Sequence, residues 1–179
     1  MSIDDYIVPP RGWKPIEAIT NRIREMAGVF SDPRLDIVNL VENVYCNEKL
    51  SDTEFQVFTR HQMGDVEGLT CPRGSFIRFR EDVYEAACRN EARGRFTFAH
   101  ELGHLVLHRD APLARATSAH HTPAFKLAEP QANQFAGRLL APTHLIGPSD
   151  SIASVSHKFE ISWDAASWRM KYYRKESTE

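Results

Sequence analysis

The sequence predicts an α+β protein that is mainly helical, with a small antiparallel sheet and a C-terminal pair of short helices. Three observations support this fold class. Apolar residues recur at intervals of three and four over several long stretches, which is the helical period. Two stretches before the middle of the chain alternate apolar and polar residues, as half-buried strands do. The 179 residues include 42% hydrophobic and 26% charged residues, values typical of a domain with a buried core.

Helical periodicity precedes and follows the predicted sheet. In the first helix, Ile16, Ile19 and Ile23 share one face. The predicted helices cover residues 14–29, 35–44, 83–90, 95–108 and 127–141. The predicted sheet therefore lies between the second and third helices.

Two strands of the predicted sheet follow the second helix. Residues 55–59 and 75–80 alternate in character, which is the period of a strand with one face buried. Gly64 and Gly68 lie between these strands and are interpreted as turn positions. We therefore expect a small antiparallel sheet whose strands are joined by turns.

A soft domain boundary is predicted at about residue 147, where glycine and proline follow the last long helix. Residues 1–147 would form the main domain and residues 148–179 a C-terminal segment that resembles a helix-turn-helix. Its second helix could contact DNA, because residues 150–175 end in a basic cluster that contains Arg169, Lys171, Arg174 and Lys175. Trp163 and Trp168 in the same helix favour packing or docking to a partner protein instead.

Composition and charge limit the classes of function. The 22 Lys and Arg residues nearly balance the 24 Asp and Glu residues, which excludes a generally basic nucleic-acid coat. No apolar stretch approaches the roughly 20 residues of a membrane span, and no secretory signal begins the chain. The three cysteines have unrelated spacings, which favours a reducing compartment. We expect a soluble cytoplasmic protein that does not contact membranes.

The motif His-Glu-Leu-Gly-His at residues 100–104 predicts a metal site. On a helix His100 and His104 lie one turn apart on the same face, so both imidazoles can bind one zinc ion. Glu101 lies one step around the helix, from which it can act as a general base toward water. The flanking residues are apolar around most of the helix, so the polar groups need partners in a buried setting.

A catalytic zinc site usually has a third protein ligand, and the sequence offers three candidates. His108 is eight residues from His100, about 12 Å of helix rise, so the two cannot share an ion on an unbroken helix. Asp110 has the spacing of metzincin-like ligands, but that arrangement needs a glycine where Leu107 stands. Glu129 opens the next predicted helix, and two crossing helices could bring it to the histidines.

Other residues could support the metal ligands. Asn133 lies four residues after Glu129, on the same helical face, where it could contact a ligand. His108 could pack against the site or support it. His120 and His121 lie in the loop between the two helices and could stabilise an oxyanion if they reach the cleft.

Two sequence blocks resemble the ImmA/IrrE family of metallo-endopeptidases. The first covers Arg95–His108 and contains the phenylalanine-rich approach to the HExxH motif. The second covers Glu129–Pro142 and follows the family pattern E-x-x-A-N-x-F-A-x-x-L-L-x-P. The resemblance implies a zincin-like domain of the gluzincin type. The residues that it assigns are the zinc ligands His100, His104 and Glu129 and the general base Glu101.

Two positions depart from the family pattern. Gln131 stands where relatives often carry an acid, and Pro130 lies inside the block, where it could shift the start of the helix and the reach of Glu129. Neither departure removes a core position of the motif.

The resemblance also implies a substrate: a helix-turn-helix repressor of the Xre or Cro/CI type, or an antitoxin. Its cleavage would relieve transcriptional repression in a stress response, a mobile element or a toxin–antitoxin pair. Two alternatives remain open. The protein could be a non-catalytic anti-repressor or toxin that binds its partner, or a DNA-binding regulator that acts through residues 150–175.

Overall fold

The computed structural model describes residues 5–47, 52–112, 114–115 and 122–176, with only the backbone of Ala114, Arg115 and Glu176. It confirms the mainly helical α+β fold. The helices are α1 (Trp13–Met26), α2 (Ile37–Asn39, continued by a π-helical segment Leu40–Tyr45), α3 (Arg60–Met63), α4 (Glu81–Cys88), α5 (Ala92–His108), α6 (Ala128–Leu140), α7 (Ile152–Phe159) and α8 (Trp163–Glu176). The strands are β1 (Tyr6–Ile7), β2 (Glu54–Phe58), β3 (Gly68–Thr70), β4 (Phe76–Arg80) and β5 (Ala114–Arg115).

The three-stranded sheet is mixed, so the predicted antiparallel sheet is wrong in one of its two pairings. The strand order is β2-β4-β3. β3 pairs with β4 in the antiparallel sense, but β2 pairs with β4 in the parallel sense. The chain between β2 and β4 includes α3 and β3, which provide the crossover that parallel neighbours need. Gly68, predicted as a turn residue, is the first residue of β3.

Helices α5 and α6 pack against each other at the centre of the molecule. Gly103 of α5 permits the close approach, because a β-carbon there would lie 3.0 Å from the Phe135 ring and 3.3 Å from the Cα of Ala132. Phe98 and Phe79 stack with 3.7 Å between ring centroids, which joins α5 to β4. The helix that carries the HExxH motif is therefore packed against α6 on one side and against β4 on another.

Two buried arginines join distant segments through backbone carbonyl groups. Arg24 of α1 donates to the Leu139 carbonyl oxygen at 2.9 Å. Arg95 of α5 donates to the carbonyl oxygens of Leu35 and Phe159, at 2.9 and 3.3 Å. A buried guanidinium needs such partners because burying it without them is costly.

The C-terminal segment forms the two predicted helices and packs on the rest of the chain. Val155, Phe159 and Met170 belong to the same hydrophobic core as the residues of α5 and α6. Arg169, which the sequence offered for DNA contact, is buried and donates to the Ala141 carbonyl oxygen at 2.9 Å. The domain boundary near residue 147 stays a prediction.

Residues Asp5–Arg11, here termed the N-terminal strap, run beside the start of α6. β1 lies within the strap and pairs with β5 in the antiparallel sense. Ile7 also forms an isolated antiparallel bridge with Leu127. None of the helices in the described part of the chain combines the length and the apolar character needed to span a bilayer.

Candidate metal centre

Helix α5 presents the HExxH motif from the interior of the protein. Leu102 within the motif and Leu105 just after it are buried, and Glu101 is only 8% exposed. The side chains of His100 and His104 are 16% and 19% exposed, so one edge of the motif is open to solvent. This arrangement gives a rigid site with access from one side.

Helix α6 delivers Glu129 to the same place. The helix begins at Ala128, so Glu129 is its second residue and Pro130 its third. Proline is compatible with the first turn, where its missing N–H group has no intrahelical partner to lose. Pro130 therefore does not prevent Glu129 from reaching the histidines.

The structure brings together His100, His104 and Glu129, the group of potential ligands that the sequence favoured. The two Nε2 atoms are 3.0 Å apart, and each lies 3.2 Å from one carboxylate oxygen of Glu129. Within the described ranges this is the group of three or more such side chains that could hold a metal ion. Donors bound at 2.0–2.1 Å to a tetrahedral zinc ion are about 3.3 Å apart, close to these separations.

Asn133 contacts His100, one of the candidate metal ligands. Its Oδ1 atom is 3.0 Å from Nδ1 of His100, which can donate to it. Burial by itself lowers the pKa of His100, but the hydrogen bond with Glu129 and the charge of Glu101 raise the pKa above its ordinary value. Hydrogen bonds from both histidines in turn hold the pKa of Glu129 far below its usual range.

A chain of hydrogen bonds sets the orientation of His104. The Gln131 amide nitrogen donates to the carbonyl oxygens of Pro9 and Phe125, so its Oε1 atom must accept. That atom lies 3.2 Å from Nε2 of His108, which therefore carries a hydrogen. Burial lowers the pKa of His108 to about 4, so its Nδ1 atom is an acceptor for Nδ1 of His104, 3.1 Å away.

These hydrogen-bond roles determine which histidine nitrogens face the centre of the site. Nδ1 of His100 and Nδ1 of His104 each carry a hydrogen, so Nε2 is the atom of each ring that would bind a metal ion, in place of the hydrogen that it shares with Glu129. The ionised carboxylate of Glu129 adds only acceptor oxygens. A cation between these atoms makes the arrangement favourable, and the nitrogen and oxygen donors fit zinc.

Two residues beside Glu101 were not found by the sequence analysis. The Thr70 hydroxyl lies 2.7 Å from Oε2 of Glu101 and 3.0 Å from its carbonyl oxygen. A β-carbon at Gly68 would lie 2.6 Å from Cγ of Glu101, so only glycine leaves room for this side chain. β3 thus holds Glu101 from one side, and no local pattern in the sequence indicates a contact across 31 residues.

The other predicted candidates lie elsewhere. Asp110 is exposed and has a left-handed backbone, and it does not join the cluster. His108 contacts Nδ1 of His104, whereas the other ring nitrogen of His104, Nε2, faces His100. His120 and His121, proposed for oxyanion stabilisation, lie outside the described residues.

The fold and the site are those of an HExxH protein with a mainly helical α+β fold. One helix presents the two histidines of the motif, and the next long helix presents a glutamate. The chain belongs to the peptidase M78 family, since the model of the IrrE N-terminal-like domain matches residues 44–171. This is a family of metallopeptidases, and the match confirms the resemblance to ImmA/IrrE proteins. A comparison with curated proteins finds no match.

Proposed function

We propose that this protein is a zinc-dependent endopeptidase. The observation that carries the proposal is the convergence of His100, His104 and Glu129. The buried Glu101 follows His100 directly in the motif. A structural zinc site would use four protein ligands and needs no base. Three potential ligands, an open side and Glu101 are instead the composition of a hydrolytic site.

The residues of the chain divide the chemistry between them. A bound zinc ion would polarise the scissile carbonyl group and lower the pKa of the attacking water. Glu101 takes a proton from that water and later passes it to the leaving amine. Its Oε2 atom accepts from Thr70, which leaves Oε1 for this proton transfer. Two imidazole nitrogens and a carboxylate favour zinc over the hard ions that prefer all-oxygen sites.

An extended peptide fits the surroundings of Glu101. β3 is one of the two edge strands of its sheet, and within the described residues no strand covers its other side. The free N–H and C=O groups of such an edge can pair with the main chain of an added strand. A substrate bound in this way would pass beside the residue that we assign as the base.

We further propose that the substrate is a helix-turn-helix repressor of the Xre or Cro/CI type, or an antitoxin. The support is the family to which the chain belongs and the resemblance of its two motif blocks. Cleavage would relieve transcriptional repression, which requires that the peptidase and the repressor share the cytoplasm. A purified helix-turn-helix repressor of this type is the first substrate to test.

The test replaces Glu101 with glutamine. Glu101→Gln keeps the size of the side chain but removes the base, so we expect repressor cleavage to fall by at least about 100-fold. Zinc per chain, measured on the same preparation, is expected to stay near one. Glu91→Gln, which changes an exposed acid just before the same helix, is the matched control and should cleave normally.

The ligand assignment is tested alongside. Glu129→Ala should lose zinc, whereas Asp110→Ala should retain it, because Asp110 lies outside the cluster. Cleavage by Glu101→Gln at the wild-type rate would refute the assignment of the base. Absence of zinc from the wild-type protein after incubation with zinc would refute the metallopeptidase function.

Binding without catalysis is the second candidate, and the surface of α8 favours it. Trp163 and Trp168 are 59% and 57% exposed, so they do not pack inside the chain, and Lys171 lies over the Trp168 ring. Such a face suits docking to a partner protein. De-repression of the target genes by Glu101→Gln as strong as that by the wild type would favour this function. The burial of Arg169 weakens the DNA-binding alternative.

A further inference from the structure

The N-terminal strap contacts the helix that carries Glu129, although it lies outside the segment that matches the family. The strap pairs with the chain just before α6. The Val8 N–H group donates to the Lys126 carbonyl oxygen, and the Arg11 N–H group donates to that of Phe125, both at 2.9 Å. The entry to α6 is therefore fixed by a segment more than 110 residues away in sequence.

Asp5 of the strap stabilises the first turn of α6. Leu127 occupies the N-cap position and has no side-chain acceptor, and Pro130 has no N–H group to satisfy. The Asp5 Oδ1 atom accepts from the Glu129 N–H group at 3.2 Å and from the Tyr6 N–H group at 2.7 Å. Asp5 is buried, and its acidic side chain is the type of residue that favours a helix N-terminus. It thus holds the backbone of a metal ligand.

Pro9 provides a second route from the strap to the site. Its carbonyl oxygen accepts from the Gln131 amide nitrogen at 3.0 Å, and the Phe125 carbonyl oxygen accepts from the same nitrogen at 2.8 Å. These two bonds leave only the Gln131 oxygen to face His108. The orientation of His108 then determines which nitrogen of His104 faces the ligands.

We propose that the N-terminal strap is a positioning element of the metal centre. It holds Glu129 through Asp5, and it holds His104 through Gln131 and His108. High zinc affinity then depends on residues that precede the family domain. The inference rests on the proposed zinc centre and adds to it a part of the chain that the motifs do not include.

The first test measures the dissociation constant of zinc in the full chain by competition with a coloured chelator. Asp5→Ala removes the acceptor for the Glu129 N–H group, and we expect about tenfold weaker zinc binding. Asp5→Asn keeps an acceptor oxygen at that position and should restore most of the affinity. Asp36→Ala is the matched control, since Asp36 accepts from the Asn39 N–H group at the start of α2, away from the site. It should bind zinc as the wild type does.

The second test needs no variant and uses reciprocity. If the strap holds the ligands, zinc bound to the ligands must stabilise the strap by the same coupling. Hydrogen exchange of the wild-type protein, measured by mass spectrometry with and without zinc, should therefore slow at the N–H groups of Val8 and Arg11. The peptide that contains Asp36 reports the general stabilisation of the fold by zinc, and its exchange should slow less than that of the strap.

The outcomes separate this inference from the proposed function. Wild-type zinc affinity in Asp5→Ala, together with strap exchange that zinc does not change, would overturn the role of the strap and leave the peptidase proposal intact. A wild-type protein that binds no zinc would overturn both. Cleavage by Glu101→Gln would refute the base alone, because zinc affinity does not depend on it.

Discussion

At the scale of single residues, the contacts of Glu101 with β3 show how a short strand can position the proposed general base. The Thr70 hydroxyl donates a hydrogen bond to Oε2 of Glu101. Gly68 leaves the space that Cγ of Glu101 fills. Gly68 and Thr70 are two residues apart in β3, so they lie on the same face of the strand, toward α5. The position of Glu101 is thus set before any substrate arrives, which is a requirement for efficient proton transfer.

Replacing Gly68 tests this arrangement. Gly68→Ala places a β-carbon 2.6 Å from Cγ of Glu101, closer than real contacts, so the glutamate must move. A displacement of the base by about 1 Å is expected to lower repressor cleavage by roughly 100-fold, with zinc content unchanged. Gly12→Ala is the control, because a β-carbon there meets no atom within 4 Å. Equal cleavage by both variants would show that the close packing at residue 68 has no role.

The sequence allowed part of the site to be predicted, for identifiable reasons. His100 and His104 share one helix, so their spacing alone places them together. Glu129 could be inferred because two family-like blocks occur in order. Asp5 and Thr70 could not, since each contacts the site across a long stretch of chain that follows no local period.

At the scale of elements, the contact between α5 and α6 determines the geometry of the centre. The two histidines come from one helix and the glutamate from the other, so the distance between the helices sets the distance between ligands. Gly103 keeps the helices close against Phe135 and Ala132. A larger residue at that position must separate them.

Gly103→Leu is therefore expected to reduce both stability and metal binding. Overpacking a tight contact costs about 1–3 kcal/mol of unfolding free energy. Thermal unfolding and zinc titration of the same variant should both show a loss. Gly94→Ala is the matched comparison, because its β-carbon would lie 2.5 Å from the Ala87 backbone nitrogen at the contact of α4 with α5. It should lose stability but retain the zinc affinity of the folded protein, and a parallel loss in both variants would contradict this distinction.

The helices were more predictable than the sheet. Long segments such as α5 and α6 show several repeats of the helical period, whereas β3 has three residues and begins with glycine. Gly68 was interpreted as a turn residue because glycine is common in turns. Its position beside Glu101 could not be predicted, since the two residues are distant in sequence. The parallel pairing of β2 with β4 likewise depends on a crossover that alternation cannot reveal.

At the scale of the whole molecule, one hydrophobic core supports both ligand helices and the C-terminal pair. The core extends from Ile16 in α1 to Met170 in α8. In α8 the inward stripe contains Ala166, Arg169 and Met170, at helical spacing. Arg169 was expected in a basic cluster that could contact DNA, because the sequence does not show which face of this helix is buried.

Zinc should stabilise the entire fold for this reason. An ion bound by both α5 and α6 adds about 2.7 kcal/mol when its concentration is 100 times the dissociation constant. For a chain of this size, the melting temperature is expected to rise by roughly 5–10 °C and to fall again when a chelator is added. Glu129→Ala should show no such rise. Equal shifts in both proteins would indicate that zinc binds elsewhere.

The aromatic face of α8 also has a spectroscopic consequence. Two of the three tryptophans, Trp163 and Trp168, are more than half exposed on this helix, and the third, Trp13, packs near Arg138. Intrinsic fluorescence therefore comes mainly from indoles in contact with water, at a distance in sequence from the metal motif. Collisional quenching by iodide or acrylamide would report when a partner covers this face, with no label attached to the protein.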